Sequence, residues 1–202
     1  MINHKLPEGF SIRELTPEVM QKHLDEWSPK IFDDEGLMLD VRSLLSESER
    51  GCLRELSKNT QAHFRLDLGL FCGDEFCGWA IGAQSDYETY YMRNSAILPK
   101  FRRRGLYRAL LSEVMKRLEA KGFQIAHSRH VATNNAIIIP KLRAGFVISS
   151  LEISDRFGTL VHLKYFFNEK RRDAMVFRAG DLRPVGELAS ALGMKADAFA
   201  VK

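Results

Sequence analysis

The sequence has little of what marks disulfide-rich, membrane-spanning or secreted proteins. Its three cysteines, Cys52, Cys72 and Cys77, are too few and too odd in number for a disulfide framework, so we expect reduced thiols. No stretch approaches the roughly 18 consecutive apolar residues that a membrane-spanning helix needs. The first residues also lack the apolar core of a signal peptide. We therefore expect a cytoplasmic protein without a membrane partner.

What the sequence does contain is the composition of an ordinary globular protein. Hydrophobic residues make up 45% and charged residues 28% of the 202 positions, which excludes fibrous and low-complexity architectures. This length fits one large domain, or one domain with a tail, and it can bury a single substantial core. The net charge of +4 permits an anionic partner without requiring one.

The order of the predicted strands and helices indicates a mixed α/β fold. Strands and hairpins are predicted at 10–15, 62–84, 89–99, 123–132 and 147–167, and helices at 16–27, 40–59, 105–121 and 134–146. The strand, helix and strand within 89–132 form a βαβ unit, whose right-handed crossover sets its two strands parallel. Residues 168–202 predict a basic linker and one further helix at about 183–195.

The most informative stretch is ILPKFRRRGLYRALL, residues 97–111, where a strand becomes a helix. The amino terminus of a helix has backbone N–H groups without partners and a dipole that favours negative charge, so it binds phosphate readily. Gly105 has no Cβ to hold an anion away. The arginines at 102–104 can donate charge-assisted hydrogen bonds to phosphate oxygens. A solvated basic turn is the alternative, but it gives no reason for a glycine at the helix start.

Together with NNAIIIPKLRAGF, residues 134–146, this stretch resembles the GNAT superfamily of acyl-CoA-dependent N-acyltransferases. The pyrophosphate-binding motif of that family is Q/R-x-x-G-x-G/A. Residues 102–107 occupy it here, with Tyr107 where glycine or alanine is usual. The resemblance covers roughly residues 10–167. It implies a GNAT-like domain at 1–167, with a mostly antiparallel sheet flanked by helices and one parallel βαβ unit that carries the CoA site, followed by a C-terminal extension at 168–202.

The resemblance also implies a set of cofactor-binding residues. Acetyl-CoA is the expected co-substrate. The backbone of Ser95, Ala96 and Ile97 is expected to pair with the pantetheine arm, and Asn134 to contact the cofactor near its pantetheine. The residues expected around the pyrophosphate are Arg102, Arg103, Arg104, Gly105, Leu106 and Tyr107.

A second departure from the family pattern concerns the proton donor. Many members carry a tyrosine on the second helix, in a pattern like N-x-x-A-x-x-x-Y-x-x-x-G-F, which protonates the departing thiolate. Lys141 occupies that position here. A lysine could act as an acid or stabilise the thiolate by charge, although a lysine is more often a solvated side chain. Tyr90 and Tyr91 are other candidate donors, although tyrosines in strands usually serve packing.

Amine acylation also needs a group that removes a proton from the amine. Glu88, the first candidate, and Asp86, the second, lie where a loop enters the strand that leads to the arginine-rich turn. The resemblance places a family carboxylate in this general region without a fixed motif position. We therefore take Glu88 as the candidate general base, against the alternative that both carboxylates are simply solvated.

Other side-chain patterns argue against a metal or nucleic acid. His127 and His130 are three residues apart in a predicted strand, so they point to opposite faces and cannot hold one ion without distortion. Cys72 and Cys77 lack a complete four-ligand set, and we expect no metal. The basic aromatic segments contain no recognisable nucleic-acid-binding module, so we expect no nucleic-acid partner.

These observations predict an acetyl-CoA-dependent N-acetyltransferase. It would move an acetyl or other short acyl group to a primary amine on a small molecule or a peptide. No motif indicates which acceptor it uses, and a homodimer is left open. Two other classes stay open as well, a non-catalytic acyl-CoA sensor and a basic nucleic-acid-binding protein.

Overall fold

The computed structural model describes residues 4–32, 44–57, 63–180 and 186–193. Its strands are β1 (Phe10–Glu14), β2 (Arg65–Cys72), β3 (Glu75–Gln84), β4 (Thr89–Ile97), β5 (Ile125–Val131), β6 (Val147–Ser154) and β7 (Gly158–Phe166). Its helices are α1 (Pro17–Ile31), α2 (Glu47–Ser57), α3 (Leu106–Ala120), α4 (Asn135–Arg143), α5 (Glu169–Arg178) and α6 (Gly186–Ala191). A short 3₁₀ turn, Pro99–Phe101, joins β4 to the loop before α3.

The seven strands form one sheet in the order β1-β2-β3-β4-β5-β7-β6. Neighbouring strands run antiparallel except β4 and β5, which are parallel and are connected through α3. The predicted fold class, a mostly antiparallel sheet with one parallel βαβ unit, is confirmed. Because β2 and β3 lie inside the sheet and are covered on both faces, nearly every residue along them is buried.

Local sequence signals set the ends of the helices that frame the sheet. The Thr16 side chain accepts a hydrogen bond from the Val19 amide, and Pro17 follows at the first helical position, as predicted for α1. Gly105 is the N-cap of α3, and Gly122 follows the end of the helix with φ at 87°, a left-handed conformation that glycine adopts without a Cβ clash.

The parallel strands stay paired over only a short length and then part. Partners run from Thr89↔Ile125 to Tyr91↔His127, yet β4 continues to Ile97 and β5 to Val131. A bulge in β4 accompanies the separation, because the register shifts between Ile81 and Gly82 of β3 and leaves one extra residue on β4. We call the opening between the two strands the fork.

Helices cover both faces of the sheet. The His23 ring of α1 stacks on Phe76 with the ring centroids 3.9 Å apart, and Phe32 beyond α1 packs edge-on against Trp79. On the opposite face, α3 and α4 meet at Met92 of β4. Val114 of α3 lines a small cavity with Met92, and Lys141 of α4 contacts the Met92 sulfur. The fork therefore has an α1 face and an α3/α4 face.

The C-terminal extension corrects one prediction. Residues predicted as a basic linker form α5, whose first turn is capped by the Asn168 side chain accepting from the Arg171 amide. This cap was present in the sequence and was missed. The short helix α6 lies inside the range predicted for a single C-terminal helix, and the domain boundary at 167 stays a prediction. Across the described ranges, no helix is long and apolar enough to cross a membrane.

Candidate functional site

The loop before α3 holds its backbone in a strained conformation. Arg103 has φ at 61°, and among the described residues it is the one non-glycine with a positive φ. A left-handed residue of this kind costs roughly 1–2 kcal/mol, and such strain is concentrated at functional sites. Gly105 follows with φ at 77° and begins α3, which has no side-chain cap. The first N–H groups of α3 therefore have no side-chain partner, and a helix amino terminus of this kind favours an anion.

The arginines tie this turn to the end of β4. The Arg102 Nε donates to the Ile97 carbonyl oxygen at 3.0 Å, so its guanidinium group reaches back to the strand. Arg102, Arg103, Arg104 and Gly105 are all exposed, and a Cβ added at Gly105 would meet no described atom within 4 Å. The structure thus brings these predicted residues together at an open helix amino terminus.

Beyond the fork, the end of β4 has a partner on one side only. Ser95, Ala96 and Ile97 pair with β3, whereas β5 has already parted from β4 on the other side. A strand edge of this kind presents unpaired N–H and C=O groups to a ligand. An amide-containing chain such as pantetheine would find those groups here, as the resemblance implied.

Tyr107, the residue that departs from the family motif, lies under this strand end. Its hydroxyl is buried without a hydrogen-bond partner in the part of the chain that the structure describes. Ser95 is the neighbouring polar group, and burial raises the pKa of Tyr107 well above its usual value. A buried polar atom without a partner costs free energy unless a ligand satisfies it. The exposed arginines and the uncapped start of α3 fit the phosphates of a cofactor, and the unpaired strand edge fits its amide-containing arm.

Asn134 precedes α4 and is exposed. Its backbone carbonyl accepts hydrogen bonds from the Ile137 and Ile138 amides, but its side chain makes no capping bond. Because the side-chain amide is not used as a cap, it is available to a ligand. The expected cofactor contact is compatible with this geometry and stays a prediction.

Asn134→Ala is expected to weaken CoA binding by about 0.5–1.5 kcal/mol, the contribution of roughly one hydrogen bond. Isothermal titration of CoA against the purified variant and the wild type measures the difference. Since the Asn134 side chain does not cap α4, the melting temperature of the unliganded variant should change little. Equal CoA affinity in the two proteins would contradict the assigned contact.

Lys141 corrects the expectation of a solvated side chain. It is 1% exposed, and its Nζ donates to the Ser128 hydroxyl at 2.7 Å. The same nitrogen lies 3.6 Å from the Met92 sulfur and 5.0 Å from the centre of the Phe146 ring. Burial lowers the pKa of Lys141 to about 7. The sequence placed this lysine on a helix but could not show that the helix faces the fork.

The two other candidate donors have partners of their own. The Tyr90 hydroxyl is buried and donates to the Leu66 carbonyl oxygen at 3.3 Å, which fits a packing role. The Tyr91 hydroxyl accepts from Arg129 Nε at 3.3 Å on the α1 face. Lys141 is thus the candidate donor that reaches the fork from the α3/α4 face.

Glu88 lies at the other end of β4 from the arginine-rich turn. Both of its carboxylate oxygens accept from Arg171 of α5, at 2.7 and 3.2 Å. This hydrogen bonding lowers the pKa of Glu88. Asp86 caps the strand start by accepting from the Glu88 and Thr89 amides. The structure therefore does not bring Glu88 together with the predicted cofactor residues, and its role as a base stays a prediction.

A polar cluster on the α1 face was not predicted from the sequence. Glu152 of β6 accepts from His162 of β7 at 2.6 Å and from Arg129 of β5 at 3.2 Å. His127 stacks on Tyr91 with ring centroids 4.7 Å apart. These residues come from four strands, so only the strand register assembles them.

The predicted placement of the two histidines on opposite faces of β5 agrees with their contacts. His127 packs against Tyr91, whereas His130 lies 3.0 Å from the Ser128 hydroxyl and faces Lys141. Across the described ranges, no three His, Cys, Asp or Glu side chains converge in a way that could hold a metal ion.

Comparisons with known proteins agree with this geometry. The model of the acetyltransferase (GNAT) family matches residues 22–146. No curated protein matches the sequence. The ribosomal-protein-S18-alanine N-acetyltransferase from Escherichia coli has a similar fold, with a TM-score of 0.54 and 20% identity over 79% of this chain and 94% of its own.

Structures solved with cofactor are similar as well. A putative acetyltransferase from Salmonella typhimurium with acetyl-CoA has a TM-score of 0.57 and 15% identity, over 80% of this chain and 96% of its own. A GNAT family acetyltransferase from Elizabethkingia anophelis with acetyl-CoA bound has a TM-score of 0.54 and 14% identity, over 80% of this chain and 100% of its own. At these identities the likeness concerns the fold, whereas the family model spans more than half of the chain. The chain belongs to the GNAT acetyltransferase family.

Proposed function

We propose that this protein transfers an acetyl or other short acyl group from coenzyme A to a primary amine. The observation that carries the proposal is the geometry of the fork. An open, uncapped helix start lies at the end of β4, the adjoining strand edge is unpaired towards β5, and a buried lysine faces the point where the strands part. A cofactor bound along this path would have its phosphates at the turn and its thioester near Lys141.

In the proposed reaction the protein acts mainly by positioning the two substrates. The amine nitrogen attacks the thioester carbonyl carbon directly, and the carbon–sulfur bond then breaks. Holding both reactants in line removes much of the entropic barrier, and backbone N–H groups near the β4 bulge can polarise the carbonyl. Acetyl-CoA supplies the activated acyl group, while the chain supplies the site.

The test is an acceptor screen with the full-length protein and acetyl-CoA. Free thiol release would be measured with a panel of amines that includes amino acids, polyamines and peptides with free amino termini. An amine-dependent rate above the rate of thioester hydrolysis, together with acylated product by mass spectrometry, supports the proposal. A protein that binds acetyl-CoA but turns over no amine in the panel would contradict it.

A non-catalytic acyl-CoA sensor is the second candidate. The replacement of the usual tyrosine by Lys141 favours it, because a family member that had lost its proton donor would keep the cofactor site alone. The same screen separates the two roles, since a sensor shifts its melting temperature with acetyl-CoA and releases no thiol. The primary-amine acceptor and the cytoplasmic location stay predictions, and a homodimer stays open.

Glu88→Gln tests the predicted general base. If Glu88 takes the proton from the amine, kcat should fall by about a hundredfold or more while CoA affinity holds, because the carboxylate acts on the amine. The acid limb of the pH profile should flatten in the variant. Steady-state kinetics across pH measures both.

Arg171→Gln is the matched control for this experiment. It removes the same ion pair from the other side and keeps the carboxylate. Loss of activity in Glu88→Gln but not in Arg171→Gln assigns the effect to the carboxylate. Equal kcat in Glu88→Gln and wild type, or the same loss in both variants, would contradict a base role for Glu88.

A further inference from the structure

Lys141 is a buried cation that the fold itself does not require. An ammonium group loses most of its hydration on burial, and a buried charge is normally offset by an opposite charge. Within the described ranges no carboxylate forms an ion pair with Lys141, and its contacts are a hydroxyl, a thioether sulfur and an aromatic ring. A methionine or leucine would fill the space without that cost. A lysine at this position points to a chemical role.

The position of the Lys141 nitrogen relates it to the fork. Pairing of β4 and β5 ends at Tyr91 and His127, and Lys141 Nζ contacts the next residue on each strand, Met92 and Ser128. The ammonium group therefore lies between the strands where they begin to part. A ligand whose phosphates lie at the arginine-rich turn and whose chain lies along the unpaired edge of β4 would have its other end close to the Lys141 nitrogen.

We propose that Lys141 is the cationic group that receives the CoA sulfur, stabilising the thiolate by charge and returning a proton to it. The proposal rests on the function proposed above. When the tetrahedral intermediate collapses, the carbon–sulfur electron pair moves to sulfur. The thiolate then takes a proton from the Lys141 ammonium, which leaves CoA thiol and a neutral amine.

The surroundings of Lys141 support this role. Burial holds its pKa at about 7, below that of an ordinary thiol, so transfer of the Lys141 proton to the thiolate is favourable in free energy. The described titratable group that faces it is His130, whose pKa burial and the Lys141 charge lower to about 3. Arg143 on α4 is exposed, and Tyr90 on β4 is directed to the Leu66 carbonyl.

Ser128 and His130 act as positioning residues. The Lys141 ammonium group can only donate, so the Ser128 oxygen accepts from it, and the Ser128 proton can go to His130 Nε2, 3.0 Å away, in the tautomer that leaves this ring nitrogen unprotonated. A neutral imidazole accepts that proton. The chain of bonds holds the ammonium group in place. Once Lys141 has given up its proton, its neutral amine can accept from the Ser128 hydroxyl, which can in turn accept from His130, and the reversed chain is a route for restoring the proton from the half-buried His130.

The first measurement is the ionisation of bound CoA. Ultraviolet absorbance of the thiolate is followed against pH for CoA bound to the wild type, to Lys141→Met and to Lys141→Arg, with free CoA as the reference. In the wild type the bound thiol should ionise at a lower pH than free CoA, by one pH unit or more. Lys141→Met should lose that shift, and Lys141→Arg, which keeps the charge, should retain much of it.

The second measurement is turnover. With an acceptor from the screen, Lys141→Met should lower kcat by about a hundredfold or more with the KM for acetyl-CoA nearly unchanged. Lys116→Met, which removes an exposed lysine of α3, is the control and should behave like the wild type. An acetyl-CoA-induced rise in melting temperature shows that each variant is folded and keeps the cofactor site.

The outcomes separate this inference from the proposed function. If the wild type neither binds acetyl-CoA nor turns over an amine, the proposed function fails. If it does both while Lys141→Met keeps wild-type kcat and the same thiol titration, only the role of Lys141 fails. An intact mass increased by one acetyl group at Lys141 would also overturn it, because the residue would then act as an acyl acceptor.

Discussion

Gly105→Glu is expected to abolish the rise in melting temperature that acetyl-CoA produces in the wild-type protein. A ligand that binds only the folded state stabilises it by about 2.7 kcal/mol at a hundredfold excess over its dissociation constant. Gly105 begins α3, and a Cβ there would point into space where no described atom lies within 4 Å. A glutamate would place bulk and negative charge where the phosphates are expected. Thermal denaturation with and without acetyl-CoA measures the effect.

The control for this variant lies at the other end of the same helix. Gly122 has φ at 87°, against 77° for Gly105, so Gly122→Glu introduces similar backbone strain and the same charge. Both unliganded variants should lose roughly 1–2 kcal/mol of stability from that strain. Only Gly105→Glu should lose the response to acetyl-CoA. A folded Gly105→Glu protein that responds like the wild type would place the phosphates elsewhere.

The wild-type protein should gain stability relative to Lys141→Met as the pH rises above about 7. The pKa of Lys141 falls from an ordinary 10.5 to about 7 on folding, because burial disfavours the charged form. A lowered lysine pKa means that the unfolded chain binds more protons than the folded chain between these two values. The buried Lys141 therefore destabilises the folded protein fully below about pH 7. Between about pH 7 and pH 10.5 the free energy of unfolding rises, by up to about 1.4 kcal/mol per pH unit.

Urea denaturation of the two proteins from pH 6 to pH 10 checks this second expectation. Only the difference between them is informative, since the raised pKa values of Tyr90 and Tyr107 affect both proteins alike. Below pH 7 Lys141→Met should be the more stable protein, because methionine fills similar volume without a buried charge. A difference that stays constant across this range would mean that Lys141 keeps its proton on folding, and would contradict the lowered pKa.

Most of the fold could be predicted from local patterns. Thr16 and Pro17 mark the start of α1, Gly122 and Gly145 follow α3 and α4, and the two hairpins have turns at the predicted positions. Such signals work because caps and turns depend on a few neighbouring residues. Helix α5 was not predicted, because its basic composition indicated a linker and the N-cap at Asn168 was not recognised.

The arginine-rich turn could be identified for the same reason, and its binding of phosphate stays a prediction. Its chemistry depends on the helix amino terminus, the glycine and the adjoining arginines, all contiguous in the chain. What the sequence did not show is the conformation of Arg103, which has a positive φ. Neither did it show that Arg102 would bind the strand end through the Ile97 carbonyl.

The sequence by itself determined the order of strands and helices up to β7, the single parallel crossover and the residues of the arginine-rich turn, because each depends on residues close together in the chain. Only the tertiary structure decided what faces the fork. Lys141 is buried because α4 packs across two separating strands, and Glu88 is paired because α5 returns Arg171 to the start of β4. Burial and pairing follow from contacts between distant segments, and those contacts set the pKa values on which the proposed chemistry depends.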